Sequence, residues 1–384
     1  MNWNNFKKNK ALSGIFTIGI GNIVGSSITY FFWIYLAGIL GTESYGQLSY
    51  FLAIMGLASV AASFGGQFTM QVYVSKGLKI EAILYFITII TNLIGAIILF
   101  FMFKDIGLSL LVVSTSIFNL YIVELIGKRL FSKHSAIFII QKSLFVALSL
   151  LFFFVLGFEG ILIGYALSNF VFIKHLINIL RKEKLNFNII TEKKKIIFSN
   201  YLSNLASATR NNIDQLITVP LFGLSFLGNY FLGLQFNALM IFLPAIIVKY
   251  TIGEDSRGTS TRKVKSMTIL FSILASVSGA LVIPELLPIF LPEFTTTVLL
   301  VPILCFATIP RTITLMLMSS FLAKEKNFHI VVGHVISIGI MVIGILISFQ
   351  LNSEIGIAYS YVLGHSGSAI YLSIVSWRQK IIKI

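Results

Sequence analysis

The chain has 384 residues, of which 57% are hydrophobic and 11% charged, and its Lys and Arg outnumber its Asp and Glu to give a net charge of +15. A soluble domain carries about 25% charged residues, so a fold of this length could not cover a water-facing surface, and soluble enzymes and soluble binding modules are excluded. The positive charge does not indicate nucleic acid, because the basic residues punctuate the apolar segments instead of gathering in one tail or domain.

A helix needs roughly 20 apolar residues to cross a bilayer. In chain order the apolar runs predict spans near 12–40, 46–74, 82–103, 107–127, 135–156, 160–180, 196–222, 226–250, 266–291, 297–323, 328–350 and 355–377. The runs are continuous, as from Ala96 to Phe103, whereas the strands of a membrane barrel alternate polar and apolar residues. The expected fold class is therefore all-α: a polytopic membrane protein of about 12 transmembrane helices. The N-terminal segment with Lys7, Lys8 and Lys10 leads into a long span without a small-residue cleavage site, so a cleavable leader is not expected. The single Cys305 lies in an apolar run and reads as a buried small residue.

Charge distribution orients the spans, since cytoplasmic loops collect Lys and Arg. From a cytoplasmic amino terminus, the inside segments and adjoining span ends hold Lys76 and Lys79, then Lys128, Arg129 and Lys133, then the basic run from Arg181 to Lys195. They continue with Arg257, Arg262, Lys263 and Lys265, then Lys324 and Lys326, and finally Arg378, Lys380 and Lys383. The outside loops hold Lys104 against acidic Glu43, Asp105, Glu159, Glu293 and Glu354. Both termini are expected in the cytoplasm, with the chain crossing the membrane many times.

The turn after span one, Gly41-Thr-Glu-Ser-Tyr-Gly46-Gln47, reappears after span seven as Gly223-Leu-Ser-Phe-Leu-Gly228-Asn229, nearly half a chain later. The same offset pairs Asn22 with Asn204. Six spans per half is even, so the halves share orientation and read as parallel repeats. The expected organisation is a six-helix bundle over 1–180, a cytoplasmic basic linker over 181–195, and a second six-helix bundle over 196–384, related by a pseudo-two-fold axis.

The segment Ile39-Leu-Gly-Thr-Glu-Ser-Tyr-Gly-Gln-Leu48, following a long polar-flecked first helix, resembles the polysaccharide repeat-unit (Wzx-type, O-antigen) flippases of the multidrug/oligosaccharidyl-lipid/polysaccharide exporter superfamily. Asn211-Asn-Ile-Asp214 followed by Gly228-Asn-Tyr230 resembles the seventh and eighth helices of the same family. The resemblance implies a MATE-like fold and transfer of undecaprenyl-pyrophosphate-linked oligosaccharide, as in O-antigen, capsule or lipopolysaccharide synthesis, from the inner to the outer leaflet. It also implies lipid-linked oligosaccharide and membrane lipid as partners, and association with a polysaccharide polymerase and chain-length machinery.

A charged side chain at the bilayer centre costs about 2.5–3.5 kcal/mol on insertion scales, so each one requires a reason. Arg210 lies midway along span seven, Arg311 midway along span ten just after Pro310, and Lys142 seven residues into span five. Span seven carries a polar stripe of Asn200, Ser203, Asn204, Ser207, Asn211 and Asp214, which share one helix face. Span one echoes it with Ser13, Thr17, Gly21, Asn22 and Gly25. Such faces look at a neighbouring helix or an aqueous cleft. The implied cargo head is an anionic pyrophosphate, which Arg forks suit, so Arg210, Arg311 and Lys142 are the candidate substrate-binding cations. Asp214, Asn22, Asn204, Asn211 and Glu124 are the candidate cleft polar or coupling groups.

Each candidate has a second, structural reading. Arg210 and Asp214 are i and i+4 on one helix and can neutralise each other. Glu285 on span nine is within prospective reach of Arg311, and Glu124 of Lys142. Asp214 also reads as a proton or sodium coupling site. The five His residues are scattered, with no zinc-protease pattern and no phosphate-binding Gly-rich loop, so no catalytic centre, metal or organic cofactor is expected. Two other functions remain open: a small-molecule or drug cation antiporter of the same fold, and a membrane polysaccharide polymerase or glycosyltransferase, which would want larger outside loops than these.

Overall fold

The computed structural model describes residues 10–183, 185, 187–256, 261–324 and 326–379, and every regular element among them is helical. Lys7, Lys8, Lys184, Arg257, Lys380 and Lys383 of the predicted inside segments lie outside the described residues. The helices are α1 (Lys10–Ala62), α2 (Gly66–Ser75), α3 (Glu81–Phe103), α4 (Ile106–Gly127), α5 (Phe131–Leu156), α6 (Phe158–Ser168) and α7 (Ile173–Lys182). They continue with α8 (Asn188–Ser256), α9 (Arg262–Phe290), α10 (Thr295–Phe306), α11 (Thr308–Ala323), α12 (Asn327–Gln350) and α13 (Ile355–Arg378).

Hydrocarbon offers the backbone no hydrogen-bond partner, so spanning segments close their bonds internally as helices. Among the described residues, nine stretches are long and apolar enough to cross a membrane. Two of these are double length, 46 and 52 residues, and each bends at a glycine: Gly41 (φ 69°) in α1 and Gly223 (φ 85°) in α8. Each therefore supplies two spans, and the more polar α13, 24 residues long, completes the predicted twelve. The left-handed φ at both bends is one that glycine adopts without a Cβ penalty. Asp105 caps α4 by accepting from the Leu108 N–H at 2.6 Å, which fixes the tight α3–α4 corner.

Three predicted spans are broken. The second divides between α1 and α2, and the sixth changes to a 3₁₀ turn over Asn169–Phe172. The tenth divides at Ala307 into α10 and α11. Pro310 explains the last: it has no N–H to give the Phe306 carbonyl, so the helical ladder fails one turn before the proline.

The contacts group the chain into two compact units, one of Met1–Phe32 with Ile54–Ala208, the other of Trp33–Ala53 with Thr209–Ile384. The first unit's core includes Met70, Ile83, Tyr85, Leu120, Tyr121 and Phe172. The second unit's core includes Leu227, Tyr230, Leu300, Leu304, Met341 and Ile357. Within the second unit the two repeated turns meet back to back. A Cβ on Gly46 would collide with the Leu224 carbonyl oxygen, and a Cβ on Gly228 with the Thr42 carbonyl oxygen. The Thr42 and Ser225 hydroxyls add a hydrogen bond of 2.8 Å. The reciprocity follows the repeat itself, because Thr42 stands to Leu224 as Gly46 stands to Gly228.

Candidate functional site

The second unit holds a buried polar cluster assembled from α8, α11, α12 and α13. Arg311 enters it from the first turns of α11, its N–H bonded to the Ala307 carbonyl at 3.1 Å across the span-ten break. Its Nη1 donates to the Asn237 Oδ1 and, at 2.9 Å, to the Tyr361 hydroxyl. Asn237 is fully buried and its amide is oriented by its own donations, to the Leu304 carbonyl and the Thr308 hydroxyl, both at 2.9 Å. Those two donations leave Oδ1 as the acceptor for Arg311, so the helix break, the amide and the guanidinium form one bonded unit.

Asp214, 1% exposed, takes the Tyr230 hydroxyl on Oδ2 at 2.7 Å, while its Oδ1 has no hydrogen-bond partner among the described residues. Tyr230 and Tyr361 meet edge to face with centroids 6.3 Å apart, and Tyr361 meets His365 at 4.5 Å. Half-buried Arg210 sends Nη2 to the Asn211 Oδ1 at 3.4 Å, and its Nε is buried without a partner. Arg210 lies one helical turn before Asp214 on α8, and the Tyr230 that bonds Asp214 touches the Tyr361 that Arg311 bonds.

The two structural pairings expected for these arginines do not form. Arg210 and Asp214 make no ion pair, because Asp214 is turned to Tyr230 and Arg210 to Asn211. Glu285 is exposed on α9, and Arg311 is held by Asn237 and Tyr361 instead. Asn211 itself is exposed.

The remaining candidates belong to the first unit. Lys142 lies on α5 with its Nζ 5.3 Å from the Phe138 ring centroid and 5.8 Å from that of Tyr165, an arrangement that stabilises a cation by about 0.5–2 kcal/mol. Its stem crosses Gly25 of α1, where a Cβ would sit 3.2 Å from the Lys142 Cγ. The small residues of the span-one stripe thus seat α5: the Ser135 hydroxyl donates to the Thr17 carbonyl at 2.8 Å, and Gly21 faces Ser135. Asn22 and Asn204 are half-buried.

Glu124 does not meet Lys142. It is fully buried and accepts from Tyr85 at 2.7 Å, from Lys128 at 2.6 Å and from His175 at 3.0 Å, and Lys128 also pairs with Glu81 at 3.0 Å. Burial opposes the charge on Lys128, but its bonds to Glu124 and Glu81 outweigh that and raise its pKa above the ordinary lysine value. This network ties the ends of α3, α4 and α7 together and reads as structural.

Sequence reasoning missed Asn237, His334, Tyr361 and His365, and carried Tyr230 only within the segment that bears the family resemblance. A buried His or Asn in a span faces the protein interior, but which helices bring such residues together has no linear signature. Among the described residues no group of three His, Cys, Asp or Glu side chains is arranged to hold a metal.

No family model matches the chain, and no curated protein matches it. Solved structures do. An inward-facing multidrug resistance MATE family transporter of the MOP superfamily superposes with a TM-score of 0.69 at 14% identity, covering 94% of this chain and 98% of the other. A Vibrio cholerae MATE transporter, VcmN, gives 0.66 at 11% identity over 96% and 98%. A MOP superfamily transporter from Pyrococcus furiosus, in which a reversed polarity of the binding pocket suggests a different function, gives 0.63 at 14% identity over 96% and 95%. The superpositions run through nearly the whole of both chains, and this protein therefore has the all-helical fold of MATE transporters of the MOP superfamily.

Proposed function

We propose that the chain is an alternating-access membrane transporter that flips an anionic, phosphate-bearing cargo, namely lipid-linked oligosaccharide repeat units, across a bacterial inner membrane. One observation carries this reading: Arg210 and Arg311 share a buried cluster, and neither is ion-paired to a carboxylate among the described residues. A guanidinium held by neutral partners keeps its charge available, and in a low-dielectric site it recognises phosphate oxygens strongly. Lys142, resting on the Phe138 and Tyr165 rings, is a further cation with no acid partner among the described residues. The Pyrococcus furiosus transporter offers a precedent within the fold for a pocket of altered polarity accompanying a different function. The oligosaccharide identity rests on the turn and span-seven resemblance.

A second reading has its own support. Two solved structures with this fold are multidrug resistance transporters, and Asp214 offers a buried carboxylate with one oxygen unpartnered among the described residues. A small-molecule or drug cation antiporter, with Asp214 exchanging a proton or sodium, would use that acid rather than the arginines.

Leaflet accessibility of lipid-linked oligosaccharide, measured in cells lacking this chain and any redundant flippase, separates the two. Loss of outward appearance, restored by the wild-type gene, is expected. Unchanged outward appearance together with lost efflux of a cationic dye would reject the flippase in favour of the antiporter.

A further inference from the structure

We propose that His334 and His365 complete, with Arg210 and Arg311, a binding site for a phosphate-type oxyanion inside the second unit. His334 lies on α12 and His365 on α13, 4% and 2% exposed. Both ring nitrogens of His334, the Nδ1 of His365 and the Nε of Arg210 are buried and have no hydrogen-bond partner among the described residues. A buried polar atom left unpaired costs stability, because it gives up its hydrogen bonds to water without replacement. Four of them in one cluster is a heavy burden for a purely structural purpose that apolar side chains would serve better.

The cluster is held in place by packing. α12 and α13 approach closely through small residues: a Cβ on Gly333 would lie 3.0 Å from the Ser368 Oγ, and one on Gly364 would lie 2.9 Å from the Ser337 carbonyl oxygen. His365 is fixed further by its edge contact with Tyr361, which Arg311 bonds. Tyr361 also touches Tyr230, the hydroxyl partner of Asp214, which lies one helical turn after Arg210 on α8.

The chemistry of the groups selects the ligand. Arg210 Nε is only a donor, and each imidazole presents one N–H when neutral and two when protonated. Donors on four helices converge best on a ligand with several acceptor oxygens in a tetrahedral arrangement. Asp214, whose Oδ1 is the unpartnered acceptor nearby, limits the net positive charge, so the anion is held without being trapped. The assignment deepens the flippase reading and depends on it for the identity of the cargo, not for the binding itself.

The test uses the purified full chain in nanodiscs of neutral phosphatidylcholine, titrated with inorganic pyrophosphate and, separately, prepared with undecaprenyl pyrophosphate. Saturable binding is expected, weakened about tenfold or more in His334→Leu and His365→Leu, which corresponds to about 1.4 kcal/mol. His334→Gln, which keeps an amide donor, should recover part of it. Imidazole nitrogen NMR signals of both histidines should move on ligand addition, a readout that stays informative where a leucine variant folds poorly. Binding of the lipid-borne form alone, with the same variant losses, supports the site and assigns it to the headgroup. Binding of neither form, or binding indifferent to both histidines with unmoved imidazole signals, overturns it. Absent binding with export still dependent on the chain refutes the site and spares the flippase; the reverse result spares the site and refutes the flippase.

Discussion

Arg311 occupies a point where a proline-broken helix, an oriented amide and a tyrosine hydroxyl converge, and nearly every bond it makes is to a neutral group. Replacing it removes the charge and leaves the Asn237 Oδ1 without its donor. Arg311→Ala is expected to reduce export of lipid-linked glycan more than tenfold while the protein still inserts, read by leaflet accessibility beside membrane-fraction abundance. Arg311→Lys should fall between the two, because one ammonium does not reproduce the guanidinium fork. Tyr230→Phe removes the only side-chain donor to Asp214 among the described residues; about 1–3 kcal/mol of stability should be lost, seen as a lower unfolding temperature in detergent. The arginines and Asp214 were legible in the sequence because charge inside an apolar span demands a reason. The histidines were not, since His334 and His365 become neighbours only when α12 packs on α13. Nor was the partner of Glu124: three donors from α3, the α4 end and α7 reach it, while Lys142 points to aromatic rings on α5 and α6.

Among the elements, span positions could be read directly, because each apolar run must form a helix in hydrocarbon. The breaks could be read only where a residue announces them. Pro310 signalled a kink, and its missing N–H places the break at Ala307; the 3₁₀ turn over Asn169–Phe172 had no such marker. There a buried polar set replaces it: Gln141 donates to Ser168 and Asn169, and Asn169 to Ser114 and Thr115. Glycines separate into those that packing requires and those it tolerates. Gly46→Ala and Gly228→Ala should each destabilise the protein strongly and to a similar degree, since each would drive a methyl into the opposing turn's carbonyl. Gly339→Ala meets nothing within 4 Å in a regular stretch of α12 and should be neutral or stabilising by up to about 1 kcal/mol. Thermal unfolding of the three variants side by side checks the contrast.

At the scale of the molecule, the alternation of charge along the chain predicts the orientation of every loop. Reporter fusions at Gly157 and Asn352 should read as outside, and fusions at Gly77 and after Arg378 as inside; one reversed site would break the assignment of both termini to the cytoplasm. Acid should loosen the second unit at the α8–α9 connection, beyond the end of the span. Burial there favours the neutral form of Asp255, but bonds from Lys265 at 2.5 Å, Thr261 at 2.5 Å and Ser319 at 2.9 Å outweigh it and hold the carboxyl below its ordinary value. A carboxyl lowered by folding contributes its stability above the unfolded value of about 3.9 and loses it as pH falls through the folded one. Wild type and Asp255→Asn should therefore differ in unfolding temperature between pH 7 and 5 and converge below about pH 4. The back-to-back glycine turns carry a different lesson. Backbone carbonyls set the distance of that join and one hydroxyl pair, Thr42 with Ser225, pins it, so its fit tolerates exchange of the bulky side chains around it but not of Gly46 or Gly228.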